Sequence, residues 1–274
     1  MKRILTLSLA TAAVALAASS AGAATVAHWR FEGSLEDASG KGNTATVSTL
    51  GGPASFHGDV ANLAPGSQSL ELGLGAWVDT GVSLPQDTFT VELFLRREVA
   101  SPVKGAILST FDHLSLDGDP DNAGFALMMR TGGTLQVLSN GNVIDGVQQA
   151  SDGGWHHVAL TYDATQSLSL YVDGVLEGSM AADPQLTSAA ANALRLGAGH
   201  EGTVGGNPFN FWDGKIDEVR ISTHALAPSQ FLNNPQMGGG AGHSHGPSVP
   251  EPSSFLMMSM ALGAGTLTRR SRKS

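Results

Sequence analysis

The central part of the chain alternates apolar and polar residues with the period of two that is typical of half-buried β-strands. In the segment 88–97, TFTVELFLRR, every second residue from Phe89 to Leu95 is apolar. The segments 155–163 (WHHVALTYD) and 167–180 (SLSLYVDGVLEGSM) show the same alternation. The Asp-Gly pair at 173–174 interrupts the last segment and favours the type I′ turn of a β-hairpin, which needs positive φ at both positions. The pattern therefore predicts antiparallel strands joined by tight turns.

Strand-like segments of this kind recur along residues 25–234, separated by many of the 35 glycines of the chain. The sequence Thr131-Gly132-Gly133 predicts another hairpin connection. A helical pattern is limited to 227–232, where Pro228 suits a first helical turn. These features predict an all-β domain, an antiparallel two-sheet jelly-roll sandwich of about a dozen strands.

The N-terminus has the three parts of a secretory signal peptide. Lys2 and Arg3 supply the charged start, and residues 4–18 form an Ala-rich apolar run. Ala21 and Ala23 have the small-residue spacing of a cleavage site, so we expect cleavage after Ala23 and export of the protein.

The last 26 residues, VPEPSSFLMMSMALGAGTLTRRSRKS, also have three parts. Pro250, Glu251 and Pro252 form a stiff, extended motif, because each proline restricts itself and the residue before it. The apolar run 253–268 follows, and its 16 residues would form a helix of about 24 Å against roughly 30 Å of bilayer hydrocarbon. We therefore expect a short transmembrane helix that inserts only transiently.

Arg269 and Arg270 begin a basic end, which the positive-inside rule holds in the cytoplasm while the folded part stands outside. Motif, span and basic end together resemble the PEP-CTERM sorting signal of Gram-negative bacteria. The resemblance implies recognition by an exosortase, a membrane cysteine transpeptidase, which removes the span. It also implies a location in the cell envelope, on the outer surface or in the extracellular matrix. A permanent tail anchor is the alternative.

These patterns divide the chain into a signal peptide (1–23), a β-sandwich (24–234), a Gly/His/Pro-rich linker (235–248) and a sorting signal (249–274). The absence of cysteine excludes disulfides and thiolate chemistry. Residues 24–250 carry 23 Asp and Glu against 9 Lys and Arg, a net charge of −14. Such an acidic surface argues against nucleic acid or anionic lipid as a partner.

Three segments carry a second resemblance: 26–43 (VAHWRFEGSLEDASGKGN), 152–175 (DGGWHHVALTYDATQSLSLYVDGV) and 211–230 (FWDGKIDEVRISTHALAPSQ). They resemble laminin-G-like domains of the concanavalin A-like lectin/glucanase superfamily, in the order found there. The resemblance implies a carbohydrate-binding or adhesion module, and the association that the sorting-signal resemblance implies with exopolysaccharide and biofilm favours extracellular polysaccharide as its ligand. A structural or protein-binding envelope protein is the alternative, since this fold serves many functions.

No arrangement of catalytic residues is evident in the sequence. Asp217 with Glu218, and His156 with His157, are neighbours in strand-like segments, so we expect the two members of each pair to point to opposite faces. We expect one of the two histidines to be partly buried and the other exposed. The E-x-D-x-x-E spacing of laminarinase-like enzymes in this superfamily is absent. A glycan-cleaving enzyme is therefore the less favoured alternative to a binding module.

Two groups of acidic residues are candidate Ca²⁺ ligands. The segment 112–122, DHLSLDGDPDN, places four aspartates in one loop: Asp112, Asp117, Asp119 and Asp121. Crowded oxygen ligands in a flexible turn suit calcium, although a solvated polar loop has the same composition. The second group follows from the fold resemblance, since similar sandwiches hold calcium between their first and last strands: Glu32, Asp37 and Asn43 near the start, with Asp217 near the end.

The four tryptophans suit either a core or the stacking of sugar rings. Trp29, Trp77 and Trp155 lie in strand patterns that favour the core. Trp212 lies in the loop-like stretch GGNPFNFWDG, so we expect it to be the exception that contacts a ligand.

Overall fold

The computed structural model describes residues 23–61, 68–97, 104–110, 124–183, 186, 193–199 and 209–232. The contacts of the chain divide it into one unit from Met1 to Gly239 and another from Gly240 to Ser274, and the second lies wholly outside these ranges. Several predicted features also lie outside the described residues: residues 1–22 of the signal peptide with Ala21, the loop with Asp112, Asp117, Asp119 and Asp121, the linker, and the sorting signal with Pro250, Glu251, Pro252, Arg269 and Arg270.

Fifteen strands in the described residues form two antiparallel sheets. The eight-stranded sheet contains β1 (Thr25–Trp29), β3 (Ala54–His57), β4 (Ser69–Leu72), β6 (Thr88–Arg96), β11 (Trp155–Asp163), β12 (Ser167–Val172), β13 (Val175–Ala181) and β15 (Gly214–Ser222). The seven-stranded sheet contains β2 (Thr46–Thr49), β5 (Ala76–Asp79), β7 (Gly105–Ser109), β8 (Ala126–Met129), β9 (Thr134–Ser139), β10 (Asn142–Gln149) and β14 (Arg195–Leu196).

The order of the eight-stranded sheet is β13-β12-β11-β6-β15-β4-β3, with β1 also paired to β15. The order of the seven-stranded sheet is β10-β9-β8-β7-β14-β5-β2. The two sheets share one large hydrophobic core, which contains Leu93 from β6 and Val137 from β9. The all-β sandwich expected from the alternating pattern is confirmed, because the alternation places every second side chain in that core.

The local predictions from turn residues also hold. Asp173 and Gly174 both have positive φ, 50° and 79°, and they join β12 to β13. The segment after Met129 turns at the predicted glycines into β9, and β8 pairs with β9 antiparallel. The segment 227–232, whose pattern is helical, contains a single 3₁₀ turn, Pro228–Gln230.

The residues after β15 fold back over the outer face of the eight-stranded sheet. Phe231 is fully buried and packs on the rings of His157 and Tyr171, with centroids 5.5 and 5.3 Å away. Leu232 donates its backbone N–H to Glu92 Oε2 at 2.9 Å. Within the described ranges, no helix is long and apolar enough to cross a membrane.

Candidate functional site

The outer face of the seven-stranded sheet carries an aromatic, an acidic and a basic side chain close to its β2 edge. Trp77 and Asp79 lie two residues apart on β5, so both side chains leave the sheet on one side. The intervening Val78 belongs to the core, which makes that side the outer one. Arg195 on β14 lies opposite Asp79. Together with two neighbouring residues these form the Trp77 cluster: Ser48, Trp77, Asp79, Arg195 and Phe211.

The Asp79 carboxylate holds this cluster together. Its Oδ1 accepts a hydrogen bond from Arg195 Nε at 2.8 Å. Its Oδ2 accepts from Trp77 Nε1 at 2.8 Å and from Ser48 Oγ at 3.2 Å. The Arg195 guanidinium lies over the indole, 5.6 Å from the ring centroid, and the Phe211 ring packs against Trp77 at 6.1 Å. The charge-assisted bond and the stacking therefore fix the guanidinium in one orientation.

Exposure differs sharply within the Trp77 cluster. Trp77 is 8% exposed, whereas the Asp79 side chain is 41% exposed. The indole therefore supports Arg195 from beneath, and the carboxylate is the group that meets solvent. Arg195 Nη1 is buried and has no hydrogen-bond partner among the described residues. The cluster thus presents exposed acceptor oxygens on Asp79, while its unused donor atom on Arg195 is buried.

Two exposed leucines lie next to the cluster. Leu50 follows β2 and Leu74 precedes β5, and they are 67% and 52% exposed. The two loops touch, since the Leu50 N–H donates to the carbonyl of Gly75 at 2.7 Å. They give this end of the face an apolar rim beside its polar groups.

A second arginine–aspartate pair lies on the other side of the same face. Arg130 Nη1 and Gln136 Nε2 both donate to Asp145 Oδ1, at 3.0 and 2.7 Å. Gln136 and Asp145 face each other on β9 and β10. Between the two pairs lies a buried apolar cluster, so the centre of the face is closed: Ala106, Ala126, Met128 and Leu138. This pair has no aromatic ring contact among the described residues, which distinguishes it from Arg195.

The comparisons with known proteins agree with this architecture. Residues 73–230, more than half of the chain, match the family model described as the concanavalin A-like lectin/glucanases superfamily. The chain belongs to this superfamily. Residues 248–273 match the PEP-CTERM protein-sorting motif, which implies an exported protein sorted to the cell surface. Both sequence resemblances are therefore confirmed. No curated protein sequence matches the chain.

Solved structures of concanavalin A-like proteins share the fold. Domain 4 of AbnA, an extracellular GH43 arabinanase from Geobacillus stearothermophilus solved with arabinotriose, superposes with a TM-score of 0.55 at 22% identity, covering 76% of this chain and 96% of that domain. The binding domain of a serotype D/C botulinum neurotoxin has a TM-score of 0.55 at 12% identity, covering 75% of this chain. This chain spans 50% of that toxin domain. At these identities the likeness shows the fold alone.

Within this lectin/glucanase sandwich, Trp212 does not have the exposed position that the sequence indicated. It is fully buried in the core, and the Arg97 guanidinium lies over its ring at 5.1 Å. Because its face is covered, Trp212 offers no open surface for a sugar ring, and the prediction of a ligand contact is corrected. Phe211, the preceding residue, points to the outer face instead. The loop-like composition of this stretch hid its pairing with β7, which a bridge between Ala106 and Phe211 records.

Asp217 and Glu218 lie on the same face, contrary to the expectation for neighbours on a strand. Glu218 has a positive φ of 50°, and the pairing of β15 with β6 shifts register between Asp217 and Arg220. This β-bulge inserts an extra residue, so Glu218 turns outward and accepts from His28 Nε2 at 2.6 Å and Arg30 Nε at 3.0 Å. The alternation rule failed here because it assumes an unbroken ladder.

Burial, reinforced by the charge of Glu218, raises the pKa of Asp217 to about 7. Among the described residues, its oxygens accept the backbone N–H groups of Ala61 and Glu218, at 3.2 and 2.8 Å. Glu218 itself is paired with His28 and Arg30, and these partners hold its pKa below the usual range although burial opposes them. Of these two carboxylates, Asp217 is therefore the one whose charge is less compensated.

Asp37, one of the predicted calcium ligands, is hydrogen bonded within a turn near the start of the domain. It accepts the backbone N–H groups of His28, Ser39 and Asn43 at 2.8–3.1 Å, and also side-chain bonds from Ser39 and Asn43. Although burial opposes them, these bonds hold the pKa of Asp37 well below its usual range. Asp37 bridges to Trp29 on the edge of β1 that faces away from β15, so the structure does not bring it to Asp217. Asp37 and Asn43 organise a turn.

Glu32 is the predicted ligand that does lie near Asp217, since its charge contributes to the raised pKa there. One Glu32 oxygen accepts from the backbone N–H of Gln68 at 3.0 Å. The described residues contain no group of three or more His, Cys, Asp or Glu side chains arranged as a metal site. Glu32 and Asp217 therefore fit a Ca²⁺ ion only with further oxygens from amide or carbonyl groups.

The two histidines of β11 point to opposite faces as predicted, but neither is a surface residue. His157 is 1% exposed on the outer face and hydrogen bonds Glu92 Oε2 at 2.9 Å. His156 is 9% exposed and lies between Asp173 and Asp152, with contacts of 2.8 and 3.0 Å. Each ring is held by a carboxylate, while His157 Nδ1 is buried without a hydrogen-bond partner among the described residues.

Sequence reasoning missed the Trp77 cluster. The signal was present in part, because Trp77 and Asp79 are separated by one residue in the strand AWVD and must share a face. Arg195 gives no such signal, since it is 116 residues away from Asp79 in the chain. Only the insertion of β14 beside β5 brings the guanidinium to the carboxylate.

Proposed function

We propose that this protein is a non-catalytic glycan-binding module of the bacterial cell surface, and that the Trp77 cluster is its ligand site. One observation carries the proposal: the half-exposed Asp79 carboxylate holds Arg195 in a fixed orientation over an aromatic ring. A sugar hydroxyl can donate a hydrogen bond to the half-exposed Asp79 carboxylate, which Arg195 holds in place from a buried position. The apolar rim of Leu50 and Leu74 suits the C–H face of a sugar ring.

The fold context supports this reading. Domain 4 of the arabinanase shares the architecture and was solved with arabinotriose. The sorting motif supports a location where extracellular polysaccharide is abundant, with processing by an exosortase. Because fold alone does not select a function, the proposal depends on the cluster and not on the likeness.

Binding without turnover is part of the proposal. The two carboxylates on the outer face of β15, Asp217 and Glu218, accept hydrogen bonds from backbone N–H groups and from His28 and Arg30, respectively. Asp79 is likewise bonded to three donors. Neither arrangement provides a free acid and a free base across a sugar-sized gap. Incubation with polysaccharide should therefore release no reducing ends and no unsaturated products.

The test is affinity electrophoresis of the processed protein in gels that contain linear arabinan, or the polysaccharide extracted from the producing cells. Asp79→Ala and Arg195→Ala should abolish retardation by one of these glycans, a loss of at least about tenfold in affinity. Arg130→Ala and Asp145→Ala are matched controls, because they break the other arginine–aspartate pair of the same face. If the controls lose binding and the cluster variants keep it, the site is wrongly placed.

A structural or protein-binding envelope protein is the second candidate. This fold is widely used for contacts with ligands other than sugars, which favours protein binding as the second candidate function. The binding domain of the toxin shares the sandwich. In that case no glycan would retard the wild-type protein, and the cluster variants would run like the wild type.

A further inference from the structure

One of the four tryptophans of the chain is partly exposed. Trp155, for which the strand pattern favoured the core, begins β11 and keeps part of its surface in solvent. The other three are buried: Trp29, Trp77 and Trp212. Arginine side chains lie over the rings of Trp77 and Trp212, but among the described residues none lies over Trp155. The indole that is accessible to a ligand is therefore that of Trp155.

Trp155 points away from the core, together with two basic residues. It pairs with Arg96 of β6, and Arg96 pairs in turn with Lys215 of β15. Residues directly opposite each other share one face of a sheet. Leu95 and Ile216, the chain neighbours of Arg96 and Lys215, belong to the core. The three side chains therefore form a row on the outer face of the eight-stranded sheet.

Asp59, in the loop after β3, holds this row in place. Its carboxylate accepts hydrogen bonds from Trp155 Nε1 at 3.1 Å and Arg96 Nη1 at 2.7 Å. Lys215 Nζ lies 3.0 Å from its other oxygen. The loop itself is anchored, because Ser69 Oγ donates to the Asp59 carbonyl at 2.5 Å. Although burial opposes them, the bonds from Lys215 and Trp155 hold the pKa of Asp59 below its usual range. The indole is thus oriented through Nε1, which leaves a ring face for a ligand.

Four residues form what we call the Trp155 surface: Asp59, Arg96, Trp155 and Lys215. An indole face suits the C–H groups of a sugar ring. The polar side chains beside it reach solvent, since Asp59 is 33% and Arg96 25% exposed. The carboxylate can accept hydrogen bonds from sugar hydroxyls, and the guanidinium can donate to them. In this respect Arg96 differs from Arg195, which is buried.

We propose that the Trp155 surface is a second glycan-binding site, so that one copy of the domain bridges two glycan chains. A sugar ring stacks on Trp155, and its hydroxyls hydrogen bond Asp59 and Arg96. The Trp77 cluster lies on the outer face of the other sheet, with the shared core between them. Packed sheets are about 10 Å apart, so one sugar ring cannot occupy both sites. The bridging rests on the proposed glycan site at the Trp77 cluster, whereas binding at Trp155 does not.

The test of the surface is tryptophan fluorescence of the processed protein, titrated with oligosaccharides from arabinan or from the polysaccharide of the producing cells. A sugar ring on Trp155 should shift the emission to shorter wavelength, because the indole loses contact with water. Trp155→Ala should remove the shift and weaken binding to the intact glycan at least about tenfold. Trp155→Phe should also remove the shift but keep more of the binding, because it retains an aromatic face. Asp79→Ala is the matched control, since it alters the other site and should leave the shift unchanged.

Bridging is measured separately, by light scattering of the protein mixed with the intact glycan. A domain with two sites should cross-link the chains into large particles, and Trp155→Ala and Asp79→Ala should each prevent this. Thermal melts establish that both variants remain folded.

The two proposals fail in different ways. If Trp155→Ala binds and cross-links like the wild type, the Trp155 surface is not a site, and a loss in Asp79→Ala alone leaves the proposed function intact. A loss in Trp155→Ala alone supports this surface and overturns the Trp77 cluster. If no glycan binds the wild type, both proposals are wrong.

Discussion

At the scale of single residues, His156 is the clearest titrating group of the described chain. Its hydrogen bond with Asp173, followed by that with Asp152, raises the pKa of the ring from 6.5 to about 9, although burial opposes the shift. A raised histidine pKa means that the folded state binds the proton more tightly than the unfolded state. The stabilisation is therefore complete below pH 6.5 and is lost as pH rises through about 9.

We expect the wild type to lose on the order of 2 kcal/mol of unfolding free energy between these two pH values, because Asp152 is half exposed and its attraction is screened. His156→Asn keeps a donor toward Asp173 but cannot ionise, so its unfolding free energy should change much less over the same interval. Urea unfolding at both pH values measures the difference. Parallel pH profiles for the two proteins would contradict this assignment.

Asp217 is the residue at which a structural calcium ion is best tested. It is buried, its charge is poorly compensated, and the charge of Glu32 contributes to its raised pKa. If Ca²⁺ binds the native state here, a hundredfold excess over its dissociation constant adds about 2.7 kcal/mol of stability. For a domain of this size the melting temperature should then be several degrees higher in millimolar calcium than in chelator.

Asp217→Asn should remove this calcium-dependent rise. Asp119→Ala combined with Asp121→Ala is the comparison, since it removes the acidic loop that is the other sequence-based candidate. If only the loop variant loses the rise, the ion binds there and not at Asp217. Identical melting of the wild type in both buffers would end the calcium hypothesis.

At the scale of elements, the segment after β15 seals a buried ionic network. Glu92 is fully buried on β6 and hydrogen bonds His157, while Arg220 Nε donates to its other oxygen at 2.8 Å. Burial alone would raise the pKa of Glu92, but the His157 bond and the Arg220 charge hold it below the usual range. Phe231 covers this network, so the segment acts as a lid that keeps water from the charges.

Phe231→Ala should therefore lower the free energy of unfolding by more than the truncation of an exposed side chain does. The lost packing on His157 and Tyr171 is worth about 3–5 kcal/mol in a buried phenylalanine. Urea unfolding measures the cost, and amide hydrogen exchange at Leu232 should rise as the lid loosens. Gln230→Ala, at an exposed neighbouring position, should cost far less. Equal effects of the two substitutions would show that the lid contributes little.

At the scale of the whole molecule, both ends of the chain should be removed in the mature protein. The signal peptide predicts cleavage after Ala23, and the PEP-CTERM match predicts exosortase processing near Pro250 to Pro252. Mass spectrometry of protein recovered from the envelope or the medium should contain neither residues 1–23 nor residues 255–274. Peptides that contain Arg270 in the envelope fraction would instead indicate a retained anchor.

Much of the fold was predictable because it depends on short-range patterns. The alternation in 88–97 and 155–163 predicted two strands, and the structure shows both and pairs them with each other. Asp173-Gly174 predicted the hairpin turn between β12 and β13, where both residues have positive φ. The predictions failed where contacts with distant parts of the chain override a local sequence rule. The bulge at Glu218 is invisible in the pattern IDEV, and the loop-like composition before Trp212 hid its pairing with β7.

The sequence by itself determined the sandwich, the superfamily and the sorting signal, since periodicity, turn residues and contiguous motifs act over a few residues. Only the tertiary structure decided which polar groups meet. Asp79 and Arg195 are 116 residues apart, and His28 and Glu218 are 190 apart. The pairing of strands distant in the chain creates both contacts, and no pattern along the chain encodes that distance. The Trp155 surface has the same origin, because its strands become neighbours only once the order of the strands is fixed.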